Sequence, residues 1–188
     1  MLWRAWGPEP QFGMQLGPHL LAGTEKKAQM PKLTPHMKQV LKQQPVVFVA
    51  TSDRLGQPNV SPRGVLKIMD DDKLVLADLC SLKTRENLRS NPGLAVAAVD
   101  PQTYEGYQFK GWAELIDEGP LFEEIANLLT RARNGPQPME IWFEKTAREL
   151  MAALARAGQS GVRPSHVVVL HIEEIWNLAP GHEGEVWR

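Results

Sequence analysis

The 188-residue chain holds one cysteine, Cys80, only two tyrosines, and no excess of charge of either sign. A lone cysteine closes no intrachain disulfide and builds no cysteine zinc site. Lys and Arg number 21 against 22 Asp and Glu, a net charge of −1, which excludes the basic surplus of a dedicated duplex-binding protein. No run approaches the roughly 20 apolar residues of a membrane span, and the opening Met1-Leu2-Trp3-Arg4-Ala5-Trp6 has no signal-peptide core. The expectation is a soluble, cytoplasmic protein with no nucleic-acid or membrane partner. No nucleophile–base pair or carboxylate dyad stands out either, which suits a protein whose chemistry resides in a cofactor.

What is present is globular in proportion: 43% apolar and 23% charged residues, enough for a core, at a length that suits one domain with extensions. Residues 1–33 read as an N-terminal extension, either a flexible tail or an arm whose Trp3, Trp6 and Phe12 pack on a partner. Thr34-Pro35 starts a helix with a capping hydroxyl and a first-turn proline, Met37, Val40 and Leu41 share one face, and Pro45 stops it. Strands are expected at Val46–Thr51, about Asn59–Lys67 and Lys73–Asp78, the last two forming a hairpin around Asp70-Asp71-Asp72. That acidic turn reads as solvated, because nothing nearby completes a metal ligand set. A helix over Leu82–Ser90 ends at Asn91-Pro92-Gly93. The apolar run Gly93–Val99 reads as a strand buried on both faces, and Tyr107–Ile116 as a long strand with a bulge or close approach at Gly111. Two apolar helical stripes follow, Leu121/Phe122/Ile125/Leu128/Leu129 and Phe143/Ala147/Leu150/Met151/Leu154, before a last strand from Val167 towards Trp176. Hairpin-linked strands with short peripheral helices predict a mostly β, α+β fold: a compact antiparallel barrel rather than a parallel α/β sheet.

Two segments carry chemistry. In Ser81-Leu82-Lys83-Thr84-Arg85-Glu86-Asn87, Ser81 suits an N-cap, which puts Lys83 in the first helical turn. A cation there faces the positive end of the helix dipole, unfavourable by ~0.3–1 kcal/mol when exposed. Free amides, a Ser81 or Thr84 hydroxyl and the Lys83 ammonium would together cradle a phosphate; the plain alternative is solvated surface charge. In Ser61-Pro62-Arg63-Gly64-Val65-Leu66-Lys67, simple alternation places Arg63, Val65 and Lys67 on one face, and Pro62 marks an edge or bulge. The alternative is a sheet face open to water. An RNA-binding barrel, faintly suggested by Tyr107, Phe109 and Lys110, is disfavoured by the charge balance.

The order Arg63-x-Val65-Leu66-Lys67, Ser81-x-Lys83, Asn91-Pro92 and Tyr107-Gln108-Phe109-Lys110-Gly111 resembles the pyridoxamine 5′-phosphate oxidase-like family of FMN-binding split barrels. Lys83-Thr84-x-x-Asn87 and Gly119-Pro120-x-Phe122-Glu123-x-Ile125 resemble its small bacterial FMN-binding members more closely still. The resemblance spans about residues 34–130 and 166–178, making 34–178 the domain, 133–164 a helical insertion and 179–188 a tail. It implies a homodimer with FMN at the subunit interface and a redox partner or small-molecule substrate of unknown identity. Arg63, Lys67, Ser81, Lys83 and Thr84 would hold the phosphate, and Asn87 would fix the phosphate loop. The backbone of Ser61, Pro62, Arg63, Gly64 and Val65, with the Ala77-Asp78 strand end, would line the flavin ring. Trp112 or Trp176 would cover it from the other subunit. The implied function is a flavoprotein oxidoreductase or electron-transfer protein; the alternative is a non-catalytic module binding flavin, deazaflavin or haem, with His166 or His171 as axial ligand. Leu82 stands where the true oxidases carry an arginine, and Pro180–Glu185 has no counterpart of their substrate-binding arginine–histidine motif, so pyridoxamine phosphate oxidation is not assigned.

Overall fold

The computed structural model describes residues 30–79, 82–134, 144–158, 163–182 and 184–188. Most of the proposed N-terminal arm, Cys80, Ser81 and Phe143 lie outside these residues. The first helix, α1 (Pro35–Gln43), forms as its sequence dictates: the Met37 amide donates to Thr34 Oγ1 at 3.2 Å and the Thr34 amide to Met37 Sδ at 3.4 Å. Such a cap is worth about 1 kcal/mol. Its Met37, Val40 and Leu41 enter the core.

Among the described residues, eight antiparallel strands make one curled sheet: β1 (Val47–Ser52), β2 (Pro58–Arg63), β3 (Val65–Met69), β4 (Lys73–Asp78), β5 (Gly93–Val99), β6 (Gly106–Ile116), β7 (His166–Asn177) and β8 (Val186–Trp187). Their order is β2-β1-β5-β6-β7-β4-β3, with β8 added on β7. This is a split β-barrel in an α+β fold, as expected. The single strand expected over Asn59–Lys67 is in fact two, at opposite ends of the sheet: β2 pairs with β1, and β3 with β4. The chain crosses the split at Gly64, where a Cβ would collide with the Thr146 methyl. A bulge between Val65 and Lys67 then reverses the alternation. Val65 faces the barrel interior with its partner Leu76, whereas Lys67 sits opposite Val75 on the outer, helix-covered face. Arg63, Val65 and Lys67 therefore do not share a face.

The helices are α1, α2 (Leu82–Ser90), α3 (Pro120–Asn134) and α4 (Glu144–Arg156) among the described residues. One core fills the barrel, from Val49, Val96, Phe109, Leu170 and Ile172 to Leu88 of α2. A second lies between the outer face of β4 and β7 and helices α3 and α4, where Val75, Ala77, Val167 and Val169 meet Phe122, Ile125, Leu129 and Met151. Burial on both faces thus belongs to β4 and β7. The expectation that Gly93–Val99 is buried on both faces fails: Leu94, Val96 and Ala98 point inward, while Ala95 and Ala97 are half-buried and Val99 is exposed. The reason is placement of the helical layer, which covers the other half of the sheet.

Gly111 occupies the expected bulge, because a side chain there would strike the carbonyl oxygen of His171. The acidic hairpin turn faces solvent, with the Asp70 and Asp71 side chains 66% and 50% exposed, and cations gather on it. Lys73 Nζ lies 2.7 Å from Asp70, Lys38 Nζ 2.6 Å from Asp71, and Lys32 Nζ donates to the Asp70 carbonyl at 2.6 Å. Asp70 and Asp71 adopt positive φ (52° and 64°), a conformation Asp tolerates through local hydrogen bonding. Near the chain's end β8 returns onto β7, the Trp187 ring stands 6.1 Å from that of Tyr107, and Arg188 Nε donates to Glu174 at 2.8 Å.

Candidate functional site

In β2, strict alternation turns Pro58, Val60 and Pro62 outward and Asn59, Ser61 and Arg63 towards the inside, opposite Thr51, Val49 and Val47 of β1. The prolines confine this strand to an edge, as expected. The inward polar row would be intolerable against an apolar core. It meets α2 instead, whose Thr84, Asn87 and Leu88, at helical spacing, form the buried face. Leu88 completes the barrel core, and the two polar residues face the strands.

Thr84, 3% exposed, is the centre of this cluster. Its Oγ1 lies 3.3 Å from Asn59 Nδ2, 3.2 Å from Ser61 Oγ and 3.5 Å from Arg63 Nη2. The Thr84 and Ser61 hydroxyls share one hydrogen bond, in which either can be the donor. One turn on, Asn87 Nδ2 donates to Thr51 Oγ1 at 3.0 Å, which also receives Asn59 Nδ2 at 3.3 Å. Asn87 is fully buried, and its Oδ1 has no hydrogen-bond partner among the described residues.

Two cations flank the hydroxyls. Arg63 Nη1 donates to the Pro62 carbonyl at 2.6 Å, and Nη2 stands 3.7 Å from the carboxylate of Asp78, whose side chain is 3% exposed. Lys83, in the first turn of α2 as expected, reaches outward to Asp53 Oδ2 at 3.7 Å. Asp53 sits in the β1–β2 turn, where its Oδ1 accepts the amides of Leu55 (2.9 Å) and Gln57 (3.0 Å). The Gln57 amide above all, joined by the Leu55 amide and Lys83, holds the Asp53 carboxyl below its ordinary pKa, outweighing burial, which pushes it up.

Space decides where a ligand could lie. The gap under Arg63, lined by Val49, Leu76, Asp78, Thr84 and Leu88, amounts to about 10 Å³, room for no more than one water. That gap does not admit a phosphate, so an anion would approach from the rim of Ser61, Arg63, Lys83 and Thr84. Beside that rim, a cleft of about 340 Å³ runs between α4 and the Pro62-Arg63-Gly64 crossover, floored by Pro45, Val46 and Leu150. A wider hollow, about 630 Å³, lies elsewhere, over Ala50, Gly93, Ala95 and Lys110 on the outer sheet face.

The structure therefore gathers Ser61, Arg63, Asp78, Thr84 and Asn87 at one place, with Lys83 at its edge. Ser81 lies outside the described residues. Lys67 does not join: its ammonium lies 2.7 and 2.8 Å from the two Glu124 oxygens on α3, because the bulge has turned it over. Val65 and Ala77 have buried side chains, one in each core, so only their backbones could line a ligand. Pro62 and Gly64 border the cleft. Trp112 stands on the outer face, stacked on His171 at 3.8 Å and 3°, with His171 Nε2 3.0 Å from Glu114. Within one chain it does not reach the cluster. His166 is equally engaged, Nε2 with Arg89 at 3.3 Å and Nδ1 against the Ser165 carbonyl, so a haem iron at either histidine would have to displace existing partners. No group of residues suited to a metal ion occurs among the described residues, and no described helix is long and apolar enough to cross a membrane. Sequence reasoning missed Thr51, Asp53 and Asn59. The alternation Asn59-x-Ser61-x-Arg63 was the signal available for Asn59.

Comparison with known proteins gives consistent matches. The chain matches the pyridoxamine 5′-phosphate oxidase family profile over residues 33–179. An uncharacterized protein of Methanocaldococcus jannaschii, MJ0282, is 30% identical over 152 residues, 80% of this chain and 83% of its own. Among solved structures, HupZ of Group A Streptococcus superimposes with a TM-score of 0.56 at 28% identity, over 81% of this chain and 99% of its own. A Clostridium acetobutylicum protein related to general stress protein 26, of the pyridoxinephosphate oxidase family, superimposes at 0.54 with 14% identity, covering 81% and 92%; that likeness concerns the fold alone.

Proposed function

The chain belongs to the pyridoxamine 5′-phosphate oxidase family, and on that premise we propose that it is an FMN-binding flavoprotein, an oxidoreductase or electron-transfer protein acting as a cytoplasmic homodimer. The observation that carries this reading is the convergence of Ser61, Arg63 and Thr84 beside Lys83 at the head of α2. Two hydroxyls, a guanidinium, an ammonium and the first-turn amides of a helix are the donor set for a phosphate monoester. The residues fit the group. The planar guanidinium of Arg63 has the fork of N–H donors that matches phosphate geometry, and the adjoining 340 Å³ cleft falls in the range of small-molecule sites.

In this reading Arg63, Thr84, Ser61 and Lys83 bind the phosphate, while Asn59, Thr51 and Asn87 hold Thr84 and its helix in register with β2. The backbone of 61–65 and of Ala77-Asp78 would border the ring, and Gly64, which has no room for a side chain beside Thr146, keeps that crossover tight. A bound flavin supplies the electron-transfer chemistry, with the surrounding backbone and charge setting its potential. The homodimer is supported by the outer sheet face, where Val46 (50%), Phe48 (57%) and Val60 (64%) stay exposed on neighbouring segments. Apolar residues grouped in this way mark an interaction surface. Leu82, 61% exposed at the head of α2, adds no cation, and pyridoxamine phosphate is not proposed as the substrate.

An absorption spectrum of the purified protein tests the reading directly. Flavin bands that bleach with a reductant and return with an acceptor are expected. Bound but redox-inert flavin would favour a sequestering module, and a Soret band would replace flavin with haem.

A further inference from the structure

Both cations of the site already face carboxylates, yet the two pairs differ in kind. Arg63 and Asp78 are withdrawn from solvent, with side chains 16% and 3% exposed, and the guanidinium is held further by Pro62 and Thr84. Lys83 and Asp53 are 55% and 25% exposed, and their 3.7 Å separation is longer than a hydrogen bond. Within this second pair the anion is fixed and the cation is mobile. Asp53 Oδ1 is tied to two turn amides, at 2.9 and 3.0 Å, and Gly56 (φ 77°) closes that turn with its amide on the Asp53 carbonyl. Lys83 hangs on a flexible four-carbon stem.

Building on the flavin reading above, we propose that Asp53 is a specificity-determining residue, a built-in competitor anion that occupies Lys83 in the empty protein and opposes phosphate as it arrives. An incoming phosphate can draw the ammonium away at small cost, since an exposed pair of this kind is worth about 0–1 kcal/mol. Asp53 cannot follow or turn aside without giving up its turn bonds, so its charge stays at the rim when the ligand is seated. The site therefore penalises each added negative charge at that end of the ligand and favours a single phosphate group over a pyrophosphate.

Asp53→Asn tests this, because the amide oxygen can still accept from Leu55 and Gln57 while the charge is gone. Fluorescence titrations with FMN and with riboflavin, which lacks the phosphate, provide the readout. FMN affinity is expected to rise about threefold to tenfold, the scale of one released ion pair plus a removed repulsion, with riboflavin unchanged. In a Lys83→Met background the gain should shrink to the part that comes from the removed repulsion alone, and this cycle separates charge coupling through Lys83 from any loosening of the turn. Unchanged or weaker FMN binding in Asp53→Asn, or an equal gain for riboflavin, overturns the proposal while the flavin reading stands. Failure of the unaltered protein to bind either flavin overturns both.

Discussion

Replacing Thr84 by valine keeps the shape of a 3%-exposed side chain and removes the one oxygen on which three groups converge. Asn59 Nδ2 retains Thr51 Oγ1 at 3.3 Å, and Arg63 Nη2 retains Asp78 at 3.7 Å, so neither becomes wholly unpaired. Ser61 Oγ gives up its hydrogen bond with Thr84 and is only half-buried. One half-buried hydroxyl loses a hydrogen bond that water can partly replace, and the two donors keep other partners, so the total expected is that of a single hydrogen bond, about 0.5–1.5 kcal/mol. Urea unfolding of Thr84→Val beside Thr84→Ser measures it: the valine variant should lose that amount, whereas serine, which keeps the hydroxyl, should lose less. FMN titration on the same pair should show weaker binding for valine and near-native binding for serine. If valine matched the native protein in both assays, Thr84 would not be the organising centre of this site.

Lys67→Met should leave FMN affinity within about twofold and cost at most about 1 kcal/mol of stability, the value of an exposed ion pair; a large loss of flavin binding would return Lys67 to the site. Phe48→Glu, on the outer face, should shift sedimentation from dimer to monomer with the far-ultraviolet dichroism intact, and a persisting dimer would move the interface elsewhere. Asp70 is held below its ordinary pKa chiefly by Lys73, so its contribution is present above the unfolded carboxyl value and fades as pH falls through the lower folded one. Acid unfolding of Asp70→Asn should accordingly be less steep below about pH 4, and an unaltered acid limb would argue against that ion pair.

Local chemistry in the chain was sufficient for much of this architecture. Thr34-Pro35 and Asn91-Pro92-Gly93 mark helix ends because capping and proline sterics act within a few residues. The stripe of α3 and the long β6 with its Gly111 bulge are likewise readable from period and backbone sterics alone. So is the placement of Lys83 in a first helical turn, and with it the suspicion of an anion site. The motif order was enough to point to the family. Tertiary structure decided the rest, because each remaining question concerns which surface covers which. Gly93–Val99 and Val167–Leu170 are both apolar throughout, and only the position of α3 and α4 buries one on two faces and the other on one. Alternation from Arg63 to Lys67 breaks because Gly64 must admit Thr146 and a bulge must follow, which sends Lys67 to Glu124. Asp53 and Asn59 become site residues only because β2 folds back on β1 beneath α2, and pairing at that distance is a property of the closed chain that no short stretch of residues contains.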